Sequence, residues 1–174
     1  LSLQAYKGEI LAVVGSSGSG KSLLAHAILG ILPSNAELDG KIEYNGEELT
    51  QERKEEMRGK EIALIPQAIT YLDPLMKISD QVIGCVEKTD EGLTKKLQRE
   101  IFQRYDLKPD VERMLPHELS GGMARRVLVS TAVISSSKLV IADEPTPGLD
   151  EKTLNETLSY FKDMADKGCA VILI

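Results

Sequence analysis

The sequence predicts an α/β domain with a mostly parallel central sheet, a small antiparallel β segment and an inserted helical stretch. Three observations carry this. Short apolar runs recur along the chain, each ending at a turn, as strands buried on both faces do. Stretches with helical periodicity separate them, which is the alternation of α/β proteins. Between the first apolar run and the first helix lies a loop rich in glycine and serine.

Residues 10–14, Ile-Leu-Ala-Val-Val, form the first run and are expected to be a buried strand. A helix is expected over residues 22–32, with Leu24, Ala27, Ile28 and Ile31 at helical spacing and Pro33 as its stop. Residues 40–49 alternate around Asn45-Gly46, a hairpin turn signal. Residues 51–60 are charged and read as a solvated helix, and 62–65 as a second buried strand ended by Pro66-Gln67. Helices follow over 78–88, over 94–105 (with Leu97, Ile101 and Tyr105 on one face) and over 120–134. Residues 139–142 are a third buried strand, 151–167 an amphipathic helix and 170–174 a last strand. The segment from about Asp73 to Leu119 interrupts the strand–helix alternation. We expect one domain over 1–174, with a core of 1–72 and 135–174 and a helical subdomain of about 73–134. Leu1 opens inside a strand-like segment and the chain closes on an apolar strand, so a domain incomplete at both ends is expected.

The chain has 174 residues, 42% hydrophobic and 28% charged, which suits a packed core and excludes disorder. A net charge of −6 argues against nucleic acid as a partner, because that binding needs a basic footprint. Cys85 and Cys169 lack metal-ligand spacing and read as free thiols of a reducing compartment. No stretch approaches the roughly 20 apolar residues of a membrane span, so the expectation is a soluble chain whose link to any membrane runs through a partner.

The loop Gly15-Ser16-Ser17-Gly18-Ser19-Gly20-Lys21-Ser22 has the spacing of a phosphate-binding loop, with a strand before it and a helix after it. Glycines let backbone N–H groups approach phosphate closely, and the helix N-terminus favours an anion. Lys21 can reach the β- and γ-phosphates of ATP and Ser22 can ligate Mg²⁺. Asp143 closes the third apolar run, where ligands bind in such sheets, and can hold Mg²⁺. Glu144 beside it can orient or deprotonate an attacking water. Ser120-Gly121-Gly122 opens another helix and makes a second anion site from a hydroxyl, flexible backbone and N–H groups.

Taken in order, these segments resemble the ATP-binding subunits of ABC transporters across nearly the whole chain. Residues 15–22 look like Walker A, Gln67 like the Q-loop glutamine and 119–123 like the signature motif. Residues 139–143 look like Walker B with Glu144 as the catalytic glutamate, and Gly148-Leu149-Asp150 like the D-loop. Leu-Ser-Gly-Gly-Met after Pro116-His117-Glu118 is similar to the oligopeptide, dipeptide and nickel importer branch. His117 and His26 are read as ordinary turn and helix residues rather than metal ligands. Leu23 stands where the family often has a second hydroxyl at the α-phosphate, and Pro147-Gly148 replaces the usual small pair before Leu149-Asp150.

The resemblance implies Mg²⁺ contacts at Ser22, Gln67 and Asp143, and catalysis by Glu144 with Gln67. It also implies a head-to-tail ATPase dimer in which Ser120, Gly121 and Gly122 cover the partner's nucleotide. It implies permease subunits, an extracytoplasmic substrate-binding protein acting indirectly, and a place on the cytoplasmic face of the membrane. The aromatic that stacks on adenine and the switch histidine are expected beyond the two ends. The competing readings are a non-transport ABC ATPase and a nucleotide-dependent regulatory module; a kinase would leave the Ser-Gly-Gly helix start without a purpose.

Overall fold

The computed structural model describes residues 1–16, 18–86, 91–146 and 151–174. In chain order the elements are β1 (Ile10–Ala12), α1 (Lys21–Leu29), β2 (Glu43–Tyr44), β3 (Glu47–Glu48), α2 (Gln51–Met57) and β4 (Ile62–Ile65). They continue with α3 (Ile78–Ile83), α4 (Glu91–Arg104), α5 (Gly121–Ile134), β5 (Leu139–Ala142), α6 (Glu151–Asp166) and β6 (Ala170–Leu173). Short 3₁₀ turns lie between β4 and α3 and between α4 and α5.

β1, β6, β5 and β4 form a parallel sheet in that order. Successive side chains of a strand face opposite ways, and here each face has its own core. Val140, Ala142, Val171 and Ile65 join a cluster with α5, α6, α3 and α4. Leu139, Ile141, Ala170 and Ile172 join a second cluster with α1 and Leu49. The result is a helix–sheet–helix sandwich in which β5 is buried at every position. α5 packs on β4 and on both α3 and α4, so it is shared between the sheet layer and the helical stretch. The hairpin of β2 and β3 is antiparallel, and Asn45 and Gly46 turn it with φ of 53° and 81°, the positive pair a two-residue turn requires.

Four expectations need correction. β1 is not buried as expected: among the described residues it pairs with β6 alone, Ile10 is 40% exposed, and Val14, just past the strand, is 90% exposed. Helix α1 stops at Leu29, before Pro33, because Gly30 takes φ 68° and its N–H and that of Ile31 bond back to Ala27 and His26. Helix α3 ends at Ile83, capped by Gly84. In α4 the buried side is Thr94, Gln98, Ile101, Phe102 and Tyr105, while Leu97 is 39% exposed and lines a cavity of about 510 Å³ with Val133 and Met164. Leu97 and Ile101 are one turn apart, yet the buried stripe runs over to Phe102, because α3 and α5 pack there.

Candidate functional site

The loop after β1 is shaped by its glycines. Gly18 and Gly20 have φ of 78° and 89°, a region that side chains resist. A Cβ on Gly15 would sit 3.0 Å from Ser19 Oγ, so glycine there keeps the loop tight. The Ser19 N–H donates to Ser16 O at 3.2 Å and closes a turn. Gly20 is the N-cap of α1 and offers no side chain to the helix, whose first turn carries no acid. The orphan N–H groups there suit an anion. Lys21, the first helical residue, donates from Nζ to Gly15 O and Ser16 O, each at 3.0 Å, so its ammonium spans the loop. Leu23 is 47% exposed and brings no polar atom. Ser17 lies outside the described residues.

β6 lies between β1 and β5, so the loop strand and the acidic strand are about 9–10 Å apart at ordinary strand spacing. Helix α1 crosses that gap. Its second residue, Ser22, donates from Oγ to Asp143 Oδ1 at 2.9 Å. Asp143 is only 9% exposed, and its N–H donates to Ile65 O at 2.9 Å, which extends the β4–β5 pairing past Ala142. The ladder matches Ile65 with Ala142. Continued by two residues, that register sets Gln67 opposite Glu144, and Gln67 Nε2 does donate to Glu144 Oε2. Glu144 has φ 43°, a left-handed conformation that costs a non-glycine residue roughly 1–2 kcal/mol. Its N–H is held by Ile174 O at 2.8 Å. Strain of this kind, held by neighbouring structure, is a mark of functional positions.

The structure thus brings Gly15, Ser16, Gly18, Ser19, Gly20, Lys21, Ser22, Asp143, Glu144 and Gln67 to the carboxyl ends of the parallel strands. Ser120, Gly121 and Gly122 are placed elsewhere. No hydrogen bond among the described residues joins them to the loop, and a Cβ on either glycine would meet open space. Ser120 caps α5 by accepting the Met123 N–H at 3.2 Å. Among the described residues, the segment is a helix start open to solvent at Ser120 and Gly121. Gly148, Leu149 and Asp150, with Pro147, lie outside the described residues.

One residue beside this segment makes contacts that residue type alone does not announce. Arg126 stands four residues after Gly122, next to Arg125. In the structure its guanidinium reaches Gly122 O and the end of α4. Only the neighbourhood of a capped helix start hints at it.

A glycine loop spanned by a lysine, opening a helix whose serine is bonded to an aspartate at the end of a parallel strand, defines a P-loop NTPase fold. The ABC transporter family model matches residues 1–147, and the chain belongs to that family. It is 38% identical to the oligopeptide transport ATP-binding protein OppD of Bacillus subtilis over 172 residues, 92% of this chain and 48% of that protein. It is 35% identical to the dipeptide transport ATP-binding protein DppD of the same species, covering 100% of this chain and 56% of that one. The metal-staphylopine import system ATP-binding protein CntD of Staphylococcus aureus is 34% identical, over 97% of this chain and 66% of its own. The chain spans about half the length of the first two of these relatives. Among solved structures, the ATP-binding cassette MJ0796 in a dimeric post-hydrolysis state with ADP and Pi matches with a TM-score of 0.85 at 23% identity, over 98% of this chain and 76% of that one. At that identity the match shows the fold alone.

Proposed function

We propose that this chain is the nucleotide-binding part of an ABC importer subunit that binds and hydrolyses ATP to power uptake of peptides or nickel. The observation that carries the reading is the convergence of Lys21, Ser22, Asp143, Glu144 and Gln67 at one end of the parallel strands. The loop glycines and the N-terminus of α1 receive the phosphates, and Lys21, now spanning two loop carbonyls, turns its ammonium to them. Leu23 meets the α-phosphate through backbone only.

A hydroxyl and a carboxylate already in contact are a hard oxygen set, which fits Mg²⁺. Ser22 and Asp143, with the Gln67 carbonyl, would hold it. Bound there, Mg²⁺ supplies positive charge against the β- and γ-phosphates. Glu144 orients the attacking water and accepts its proton; Gln67 fixes that carboxylate now and would report on the γ-phosphate. Phosphoryl transfer depends mainly on positioning and charge, so an incomplete site is inactive. The exposed start of α5 supports completion in trans: Ser120, Gly121 and Gly122 of one subunit cover the nucleotide of the next.

Import of peptides or nickel complexes is inferred from relatives named for oligopeptide, dipeptide and metal-staphylopine transport. The partners are then a second ATPase, same or different, transmembrane permease subunits and, indirectly, an extracytoplasmic binding protein. No described helix is long and apolar enough to cross a membrane, which suits a peripheral place on the cytoplasmic face, reached through residues of a helical subdomain at about 73–134. The test is a nucleotide titration of the full-length subunit. Lys21→Ala is expected to abolish ATP binding, and an unchanged affinity would overturn the loop assignment.

A further inference from the structure

We infer that Arg126 is a positioning residue for the nucleotide site of the neighbouring subunit, locking the Ser120–Gly122 lid to the end of α4. The inference rests on the proposed completion of the site in trans. Its geometry stands on its own. Arg126 Nε donates to Gly122 O at 3.3 Å, inside the lid segment. Nη1 donates to Tyr105 O at 3.4 Å and Asp106 O at 3.2 Å, and lies 3.5 Å from Asp106 Oδ2. Those carbonyls follow the last turn of α4, where the chain turns out of the helix at Asp106 with φ 51°. Helix ends leave carbonyls without partners, and a cation there is favoured. One guanidinium therefore closes the end of α4 and holds the first turn of α5.

The far side of this joint is itself anchored. Tyr105 meets Tyr160 of α6 edge to face with centroids 4.4 Å apart, and Arg104 pairs with Asp163 of α6. α4 is thus pinned to α6, and Arg126 passes that fixed position on to Gly122. Two glycines give the lid little rigidity of their own. A planar fork sets its donors apart, so Nε reaches Gly122 while Nη1 reaches the end of α4; the single nitrogen of an ammonium has no such fixed span.

The test uses the full-length ATPase pair. Arg126→Gln in this subunit is combined either with Lys21→Ala in the same subunit or with alanine at the phosphate-loop lysine of the facing subunit. Each combination keeps one intact loop, and the ATP affinity of that loop in the closed pair is titrated against the same background with Arg126 present. In the first combination the surviving loop faces the altered lid, and affinity is expected to fall about 10- to 150-fold, the size of one lost charge-assisted hydrogen bond. In the second the loss is expected to be absent. Equal losses in both, or a loss in the second alone, would overturn the inference. Gly122→Asp, run in the same two backgrounds, tests the lid itself. If it too acts on its own subunit's loop, the trans reading falls. If it acts in trans and Arg126→Gln does not, only the role of Arg126 falls. Arg126→Lys, which keeps the charge but not the fork, is expected to give the same crossed pattern at smaller amplitude, and decides the matter should Arg126→Gln fail to fold.

Discussion

Replacing Ser22 by alanine should loosen the fold as well as the site. Ser22 Oγ donates to Asp143 Oδ1 at 2.9 Å, and Asp143 is 9% exposed, so little water can take the place of the lost hydroxyl. A hydrogen bond to a charged group contributes about 1.5–3 kcal/mol. Alanine is the better helix former, but by only about 0.5 kcal/mol, so the loss wins. For a domain of this size each kcal/mol moves Tm by about 2–4 °C, so the net loss of about 1–2.5 kcal/mol makes the expected drop about 2–10 °C. Thermal unfolding followed by circular dichroism, with EDTA and without nucleotide, measures this apart from any ligand effect. Ser22→Thr keeps the hydroxyl and should stay within about 2 °C of the parent. A Ser22→Ala protein that melts with the parent would show that the bond does not tie α1 to β5, and the argument for a prebuilt oxygen pair would fail.

Three more outcomes follow from the same geometry. Glu144→Gln should retain ATP binding and stop turnover in the assembled transporter; brisk hydrolysis by that variant would remove Glu144 from the role of base. Gly20→Val forces a β-branched residue to φ 89° and should weaken nucleotide binding about 5- to 30-fold, the equivalent of roughly 1–2 kcal/mol, whereas Gly59→Val, strained at φ 74° but on the far turn after α2, should leave the affinity as it was. Burial pushes the Cys169 thiol from 9.0 up to about 11. The folded state therefore favours the neutral thiol, and its stabilising share is full below pH 9 and lost as pH rises through 11. Cys169→Ala should flatten the alkaline unfolding curve in that window; a parallel slope in both proteins would refute it.

The sequence makes the parallel strands and their turns readable because burial on both faces leaves few residue types. β4, β5 and β6 fall within a residue of expectation, and Asn45-Gly46 turns where its left-handed preference says. What it conceals is tertiary. Ile10 in β1 and Val14 just past it have the composition of a buried strand, yet among the described residues β1 is paired by β6 alone and both side chains are exposed. Lys54 sits in a segment read as solvated, yet it is 6% exposed, because its stem lies against Gly30. In the site, residue type and spacing single out Lys21, Ser22, Asp143 and Glu144, which the structure brings to one end of the strands. The contact of Gln67 with Glu144 depends on a strand register, and that of Arg126 with the α4 end on a helix pairing. Neither is written in local pattern.

The pairing of Ile10 with Val171 also has a consequence for biosynthesis. The ribosome releases β1 and its glycine loop early, but their sheet neighbour β6 emerges only after every other described element. Until then the strand that carries the loop lacks the ladder it makes with β6, although Asp143 has already emerged. An apolar strand waiting for its ladder partner is a target for aggregation and for chaperones. Ribosome-bound chains that stop before β6 should accordingly be chaperone clients that cannot retain nucleotide.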